Sequence, residues 1–372
     1  MNKFLIKRLL FILPGLAAYL VTKYAQYHPD WTEQAYSRSV YPAVSAIAGF
    51  LPSQVSFSVT EWLVVFLLLF CLGYIICYIC KIKNSKDKDR RKMIAYRGFA
   101  GAAAICSMVY FVYTVSCGLN YHRYTFTHYT GYETAPAGVE ELEQLCLALA
   151  GKMEQVREQL GEDKDLSVSE PGAFDYYSQH SIQVMEKLGE EYPVLNRSMY
   201  SAPKPVLMSG VMSGVGIAGV FVPFTMESNI NVDLPFFALP ATMVHELAHQ
   251  CGFMREDEAN YIAYLACRQS DQPLMLYSGL FSAFYHSIDA LEEADAELAA
   301  KIRSDLSPAV QYDIEQHEQF WDRHDSIISD ISRTVIDINL KLNNQNDGVA
   351  SYNRMVELLL AEQRAEQEKE SK

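Results

Sequence analysis

The run WLVVFLLLFCLGYIICYIC, Trp62 to Cys80, contains no charged residue. A hydrocarbon core takes about 20 apolar residues as a helix, because only a helix satisfies its own backbone N–H and C=O groups there. The run therefore predicts a membrane span, and everything else must lie on one side of a bilayer or the other. A second uncharged run, Gly98 to Leu119, predicts another span, with the small residues Gly98 and Ala102 four apart to allow close helix approach. A third expected span covers about 4–22. It is short, and Lys7, Arg8 and Pro14 interrupt it. A basic start before an apolar stretch also suits a secretory signal. The following VTKYAQYHP offers a poor cleavage site, so an uncleaved helix is expected.

Lysine and arginine set the expected orientation. The loop between the spans at 62–80 and 98–119 holds Lys81, Lys83, Lys86, Lys88, Arg90, Arg91, Lys92 and Arg97 against Asp87 and Asp89. The loop between the spans at 4–22 and 62–80 has only Lys23 and Arg38. Positive charge stays in the cytoplasm, which places the N-terminus inside and everything after residue 119 outside. The expected organisation is a three-span anchor over 1–119, a linker over 120–136, a main domain over 137–362 and a polar tail over 363–372.

A formal net charge of −14 argues against nucleic acid as a partner. Of eight cysteines, only Cys146, Cys251 and Cys267 fall beyond the spans, too sparse a set for a disulfide framework. His122 and His128, in the tyrosine-rich linker, read as surface or interfacial residues.

In the main domain, apolar residues recur at helical spacing over 137–160 and again over Phe174 to Leu188. One or two strands are expected in the glycine-rich stretch before residue 233, the clearest being Ile217 to Val222. The chain then reads as helical to the end, with turns near 252, 270, 306 and 346. A helix from about Asp325 to Leu342 shows a stripe of Ile327, Ile331, Val335, Ile338 and Leu342, which is expected to face the core.

LPATMVHELAHQCG is punctuated as one helix, with Pro240 suited to the first turn and Gly252 to the position past the end. His245 and His249, four apart, lie on one face, so two imidazoles can bind one ion. Glu246 is rotated by about 100° yet long enough to reach a water on that ion. A third protein ligand is needed. Glu256, Asp257 and Glu258 compete for that place. Glu256 is favoured because Asn260, four residues on, shares its face and can accept a hydrogen bond from a ligand histidine. Acidic residues also suit a helix N-terminus on their own account.

HELAH followed by E-x-x-A-N resembles the gluzincin clan of zinc metallopeptidases. That resemblance implies His245, His249 and Glu256 as zinc ligands, Glu246 as general base and Asn260 as support for a ligand histidine. The clan usually has aspartate where this chain has Asn260, and a longer gap between the second histidine and the glutamate. Three N-terminal spans, GLNYHRYTF, VFVPFTMESNIN, HELAH, EDEANYIAYLAC and SYNRMVELLL together resemble an uncharacterised family of bacterial membrane proteins.

The expectation is an α-helical membrane anchor plus an α+β, mostly helical, zincin-like domain outside the cytoplasm, holding one Zn2+ per chain and hydrolysing a peptide or protein substrate. Tyr352 and His286 are candidates to stabilise the oxyanion. The alternative is a zinc-containing sensor or scaffold with little turnover. An intramembrane protease is a third reading, but Asp347, in NNQNDG, reads as a turn residue and not as its metal ligand.

Overall fold

The computed structural model describes residues 10–196, 201–342 and 354–370. The main elements are labelled in chain order. Helix α1 spans Leu13–Tyr27 and α2 spans Tyr41–Gly49. The long apolar helices are α3, Val59–Lys83, and α4, Lys88–Ser116. Then come α5, Val139–Leu160, and α6, Ala173–Glu191. A small sheet follows: β1, Lys204–Pro205; helix α7, Ser209–Gly214; β2, Gly219–Val222; and β3, Glu227–Ile230. Six helices follow: α8, Leu239–Gln250; α9, Glu256–Arg268; α10, Pro273–Ala294; α11, Ala296–Asp305; α12, Pro308–His324; and α13, Ile327–Leu342. A last helix, α14, covers Met355–Glu370.

Among the described residues, α3 and α4 are long and apolar enough to cross a membrane, and they support a multi-pass membrane protein. Side chains of α3 from Trp62 to Ile79 are largely exposed, as lipid-facing residues must be. Helix α4 starts ten residues before the expected span, inside the basic loop. Asp87 accepts from the backbone N–H groups of Asp89 and Arg90 and so caps it there. The first expected span begins outside the described residues. Its visible part, α1, has 15 residues, fewer than a full crossing takes. It packs along α4, where Gly15 N–H donates to Ser107 Oγ at 2.9 Å and a Cβ on Gly15 would collide with Ser107.

The stretch read as a linker is built into the structure. Leu119, Asn120, His122, Arg123 and Phe126 are buried. Arg123 donates from Nε and Nη2 to both oxygens of Glu33 at 2.9 and 2.8 Å, and from Nη1 to the carbonyl of Cys251 at 3.1 Å. The segment between the first two expected spans therefore also supports the main domain. A small apolar cluster joins the two parts through Ala25, Tyr36, Tyr41, Cys117, Leu119, Phe221, Met226 and Met254.

The sheet has the order β1-β3-β2, with β3 parallel to β1 and antiparallel to β2. All four residues of β3 are buried despite the polar sequence ESNI. The reason is a local charge network. Glu227 accepts from Lys204 Nζ at 2.6 Å and from the backbone N–H groups of Val59 and Thr60 at 3.0 and 2.8 Å. One carboxylate thus neutralises a buried lysine and occupies the positive end of α3.

The main core gathers α5, α6, α8, α9, α10 and α14 around residues such as Met153, Met185, Phe237, Leu247, Ile262 and Phe284. Helix α13 does not contribute the stripe expected of it. Ile331, Val335 and Ile338 are 59%, 60% and 51% exposed. Helical periodicity identifies an apolar face but says nothing of what that face meets. The Cys251 thiol bonds to the Leu195 carbonyl, and the Cys267 thiol lies against Met275 Sδ.

Candidate metal centre

Helix α8 carries the two histidines. It is buried almost all round, as a helix in the middle of a core must be. Its C-terminal carbonyls would otherwise lack partners. Tyr41 Oη donates to the carbonyl of Gln250 at 3.0 Å, and Arg123 takes that of Cys251. Gly252 then adopts φ 88°, and the Phe253 N–H returns to the Ala248 carbonyl at 3.2 Å. A side chain at Gly252 would be strained at that φ and would meet Asn120 and Arg123 at 2.9 and 3.2 Å. This tight reversal brings the first residue of α9, Glu256, back to the histidines within a few residues.

His245 Nε2 lies 3.2 Å from Glu256 Oε2, and His249 Nε2 lies 3.7 Å from it. One ligand atom from each of the three residues falls within 4.8 Å of the others. Ligands of a tetrahedral zinc with bonds of about 2.0–2.2 Å stand roughly 3.4 Å apart, so the set needs little adjustment to hold an ion. The other ring nitrogens are engaged. His249 Nδ1 donates to the Phe253 carbonyl at 2.7 Å, and His245 Nδ1 meets Asn260 Oδ1 at 2.7 Å. Both bonds place a proton on Nδ1 and leave the Nε2 lone pairs facing the cleft.

The neighbouring acids point elsewhere. Asp257 pairs with Arg255 at 2.9 Å. Glu258 accepts from the Phe126 N–H at 3.1 Å, and Arg255 lies 3.4 Å from it. Burial and the nearby Asp257 raise the pKa of Glu258. Three consecutive acids thus take three directions, which helix phase decides.

The electrostatics of the cluster favour a cation. Burial works against a charged Glu256, yet the two histidines hold its carboxyl well below the usual range. Burial also disfavours a His249 imidazolium, but Glu256 outweighs it and pushes the ring up to about 9. A positive charge at the Nε2 atoms is what this carboxylate stabilises.

Glu246 approaches from the side. Burial raises its pKa against the opposing pull of His245 and His249, and the Phe221 N–H bonds to its carboxylate. Among the described residues, its Oε2 is buried without a hydrogen-bond partner. An orphaned carboxylate oxygen beside the ligand set has room and chemistry for a water.

The cleft around the cluster encloses about 580 Å³. Strand β2 forms one wall. Asn231 N–H bonds the Ala218 carbonyl, and the alternation then turns the backbone groups of Gly219 and Phe221 away from β3, where Glu246 takes the Phe221 N–H. His286 also lines the cleft, where burial and the proximity of His245 lower it to about 4 and keep it neutral. Tyr352 lies outside the described residues, as does Asp347.

Tyr121, Tyr285 and His317 also line the cleft and were missed in the sequence. Each is far from the HELAH segment along the chain, and no spacing rule connects them. His128 is exposed, as expected of a surface residue, whereas His122 is buried, and neither belongs to the His245–His249–Glu256 set.

A family model described as "Protein of unknown function (DUF3810)" matches residues 36–360. No curated protein and no solved structure matches the chain.

Proposed function

The chain belongs to the DUF3810 family, and we propose that it is a membrane-anchored zinc metallopeptidase hydrolysing peptide bonds outside the cytoplasm. The observation that carries this reading is convergence on one cleft. Three ligand atoms, the Glu246 Oε2 that has no hydrogen-bond partner among the described residues, and the outward side of β2 at Gly219 and Phe221 all line the same space. We read the domain as gluzincin-like and the anchor as three spans, with the N-terminus cytoplasmic, on the basic loop between α3 and α4.

His245, His249 and Glu256 would hold the zinc, with Asn260 fixing the first of them. Zinc, when bound, supplies Lewis acidity toward water and toward a carbonyl oxygen. Glu246 is the general base. Its Oε2 takes a proton from water as the hydroxyl adds to the scissile carbonyl carbon, and gives it to the amine nitrogen as the C–N bond breaks. An extended peptide pairs with the outward N–H and C=O groups of Gly219 and the C=O of Phe221, as an added strand, the Phe221 N–H being held by Glu246. His286, neutral and lining the cleft, donates an N–H to the developing oxyanion. Tyr121, in the field of Glu256, is a second donor at the same cleft.

The test is made on the purified full-length chain. About one zinc per chain and chelator-sensitive cleavage of unfolded protein substrates are expected. Glu246→Gln should keep the zinc and lose cleavage. If the chain binds no metal, or His245→Ala leaves zinc content unchanged, the reading fails. Zinc without cleavage of any substrate would favour the sensor.

A further inference from the structure

The outer end of α3 is fixed to two parts of the main domain. Glu227 caps it from the sheet, and Glu61 accepts from the backbone N–H groups of Leu207 and Met208 at 3.1 and 2.9 Å. One residue further along α3, Trp62 is exposed and begins the lipid-facing run. Tryptophan at the end of an apolar run marks the level of the headgroups. Leu207, Met208 and Val211 therefore stand at that level, and they are 82%, 52% and 56% exposed.

Helix α13 packs next to this part of the domain: it meets the loop after α7, where Ser329 lies 3.9 Å from the Cβ position of Gly216. At 100° per residue its side chains sort into three sectors. Ser329 and Ile336 face the domain, and Ile336 lines the metal cleft. Asp330, Arg333, Asp337 and Lys341 occupy a second sector, where Arg333 pairs with Asp330 and Lys341 with Asp337. Ile327, Ile328, Ile331, Val335 and Ile338 fill the third, with Ile327 79% exposed. A helix with one polar face and one large apolar face suits the plane of a membrane interface. The cleft is also lined by Tyr113 and Cys117, at the end of the apolar helix α4.

We propose that the apolar face of α13, with Leu207, Met208 and Val211, lies in the outer leaflet. The cleft then opens at the bilayer surface and takes polypeptide stretches that emerge directly from a membrane anchor. The occupant of this face is lipid, because the surface is continuous with the lipid-facing belt of α3 through Glu61. The substrate half rests on the peptidase reading; the lipid half stands without it.

The experiment uses the full-length chain in phosphatidylcholine vesicles. Single cysteines replace Ile331, Val335 and, on the polar sector, Arg333. Each is labelled with a membrane-impermeant maleimide and followed by peptide mass spectrometry. Labelling of I331C and V335C should be at least about tenfold slower than that of R333C in vesicles, and nearly equal in denaturant. Equal rates in vesicles overturn the proposal, and so does oxidative cross-linking of I331C between copies. The second arm compares one peptide free in solution with the same peptide tethered by an acyl chain. Ile331→Asp combined with Val335→Asp should lower cleavage of the tethered form several-fold and leave the free form unchanged. Equal loss on both overturns the substrate half. Slow labelling without any cleavage leaves the lipid half supported and refutes the peptidase reading alone.

Discussion

Gly219 and Glu246 are so close that a Cβ on the glycine would fall 2.6 Å from the glutamate Oε1 and 2.9 Å from its Cγ. The edge strand therefore presses directly on the proposed general base, and only a residue without a side chain fits. Gly219→Ala must displace either β2 or Glu246. Misplacing a catalytic group by about 1 Å can lower the rate on the order of 10²-fold. We expect cleavage to fall by about that factor with zinc content unchanged. Full activity in Gly219→Ala would show that the strand does not position Glu246.

Removing the base itself separates chemistry from metal binding. Glu246→Gln keeps the shape and loses the proton acceptor, so kcat should fall roughly 10²–10⁴-fold. Zinc affinity should stay near that of the wild type, since Glu246 is not among the three converging ligands. Zinc titration by calorimetry, beside turnover, checks both halves.

Asn260 supports His245 through its amide oxygen at 2.7 Å, while its Nδ2 is buried with no partner among the described residues. An aspartate would accept the same Nδ1–H more strongly and strand no donor. Asn260→Asp should therefore tighten zinc binding. Asn260→Ala should weaken it about 10–100-fold, the usual loss when the partner of a ligand histidine is removed. Competition against a zinc chelator measures both, and weaker binding in Asn260→Asp would contradict the argument.

The Arg123–Glu33 pair ties the segment before α3 to the turn after α8, with side chains 3% and 1% exposed. Arg123→Met removes both close donors from a buried carboxylate, leaving as counter-charge only the half-exposed Arg38 3.7 Å away, and should destabilise the fold by up to about 3–5 kcal/mol. The pH dependence follows. Burial works to raise the Glu33 pKa, but Arg123 outweighs it and the folded value lies below the ordinary 4.5. The pair therefore contributes its full stability above about pH 4.5 and loses it as pH falls through the lower, folded value. Thermal unfolding of the detergent-solubilised chain should show a melting temperature that drops in acid. The difference between wild type and Arg123→Met should shrink over the same range.

Gly252 offers a test of the turn alone. Its φ of 88° and its contacts with Asn120 and Arg123 leave no room for a side chain. Gly252→Ala should destabilise the protein by more than about 1 kcal/mol and weaken zinc binding, because Glu256 reaches the histidines only through that reversal. Unchanged zinc affinity in a folded variant would uncouple the turn from the site.

Much of the site was legible because it is local. The four-residue spacing of His245 and His249, and the left-handed glycine after them, follow from helix geometry. Other features involve partners far apart in the chain. The segment ESNI looks like a polar loop, yet it is a buried strand because Lys204 and the start of α3 compensate Glu227. Residues 120–126 look like a linker, yet Arg123 has its carboxylate ninety residues earlier, in Glu33. The stripe on α13 was legible as a stripe, but not as a surface.

The sequence alone determined that two segments are long and apolar enough to cross a membrane as helices and that two imidazoles lie on one helical face. Both follow from spacings within a single segment, where backbone geometry leaves no choice. Only the tertiary structure decided how closely Glu256, already favoured by helix phase, approaches the histidines, that Gly219 brings a strand against Glu246, and that the cleft borders the end of α4. Those relationships depend on how separate segments pack, and the order of residues in any one segment carries no record of its neighbours.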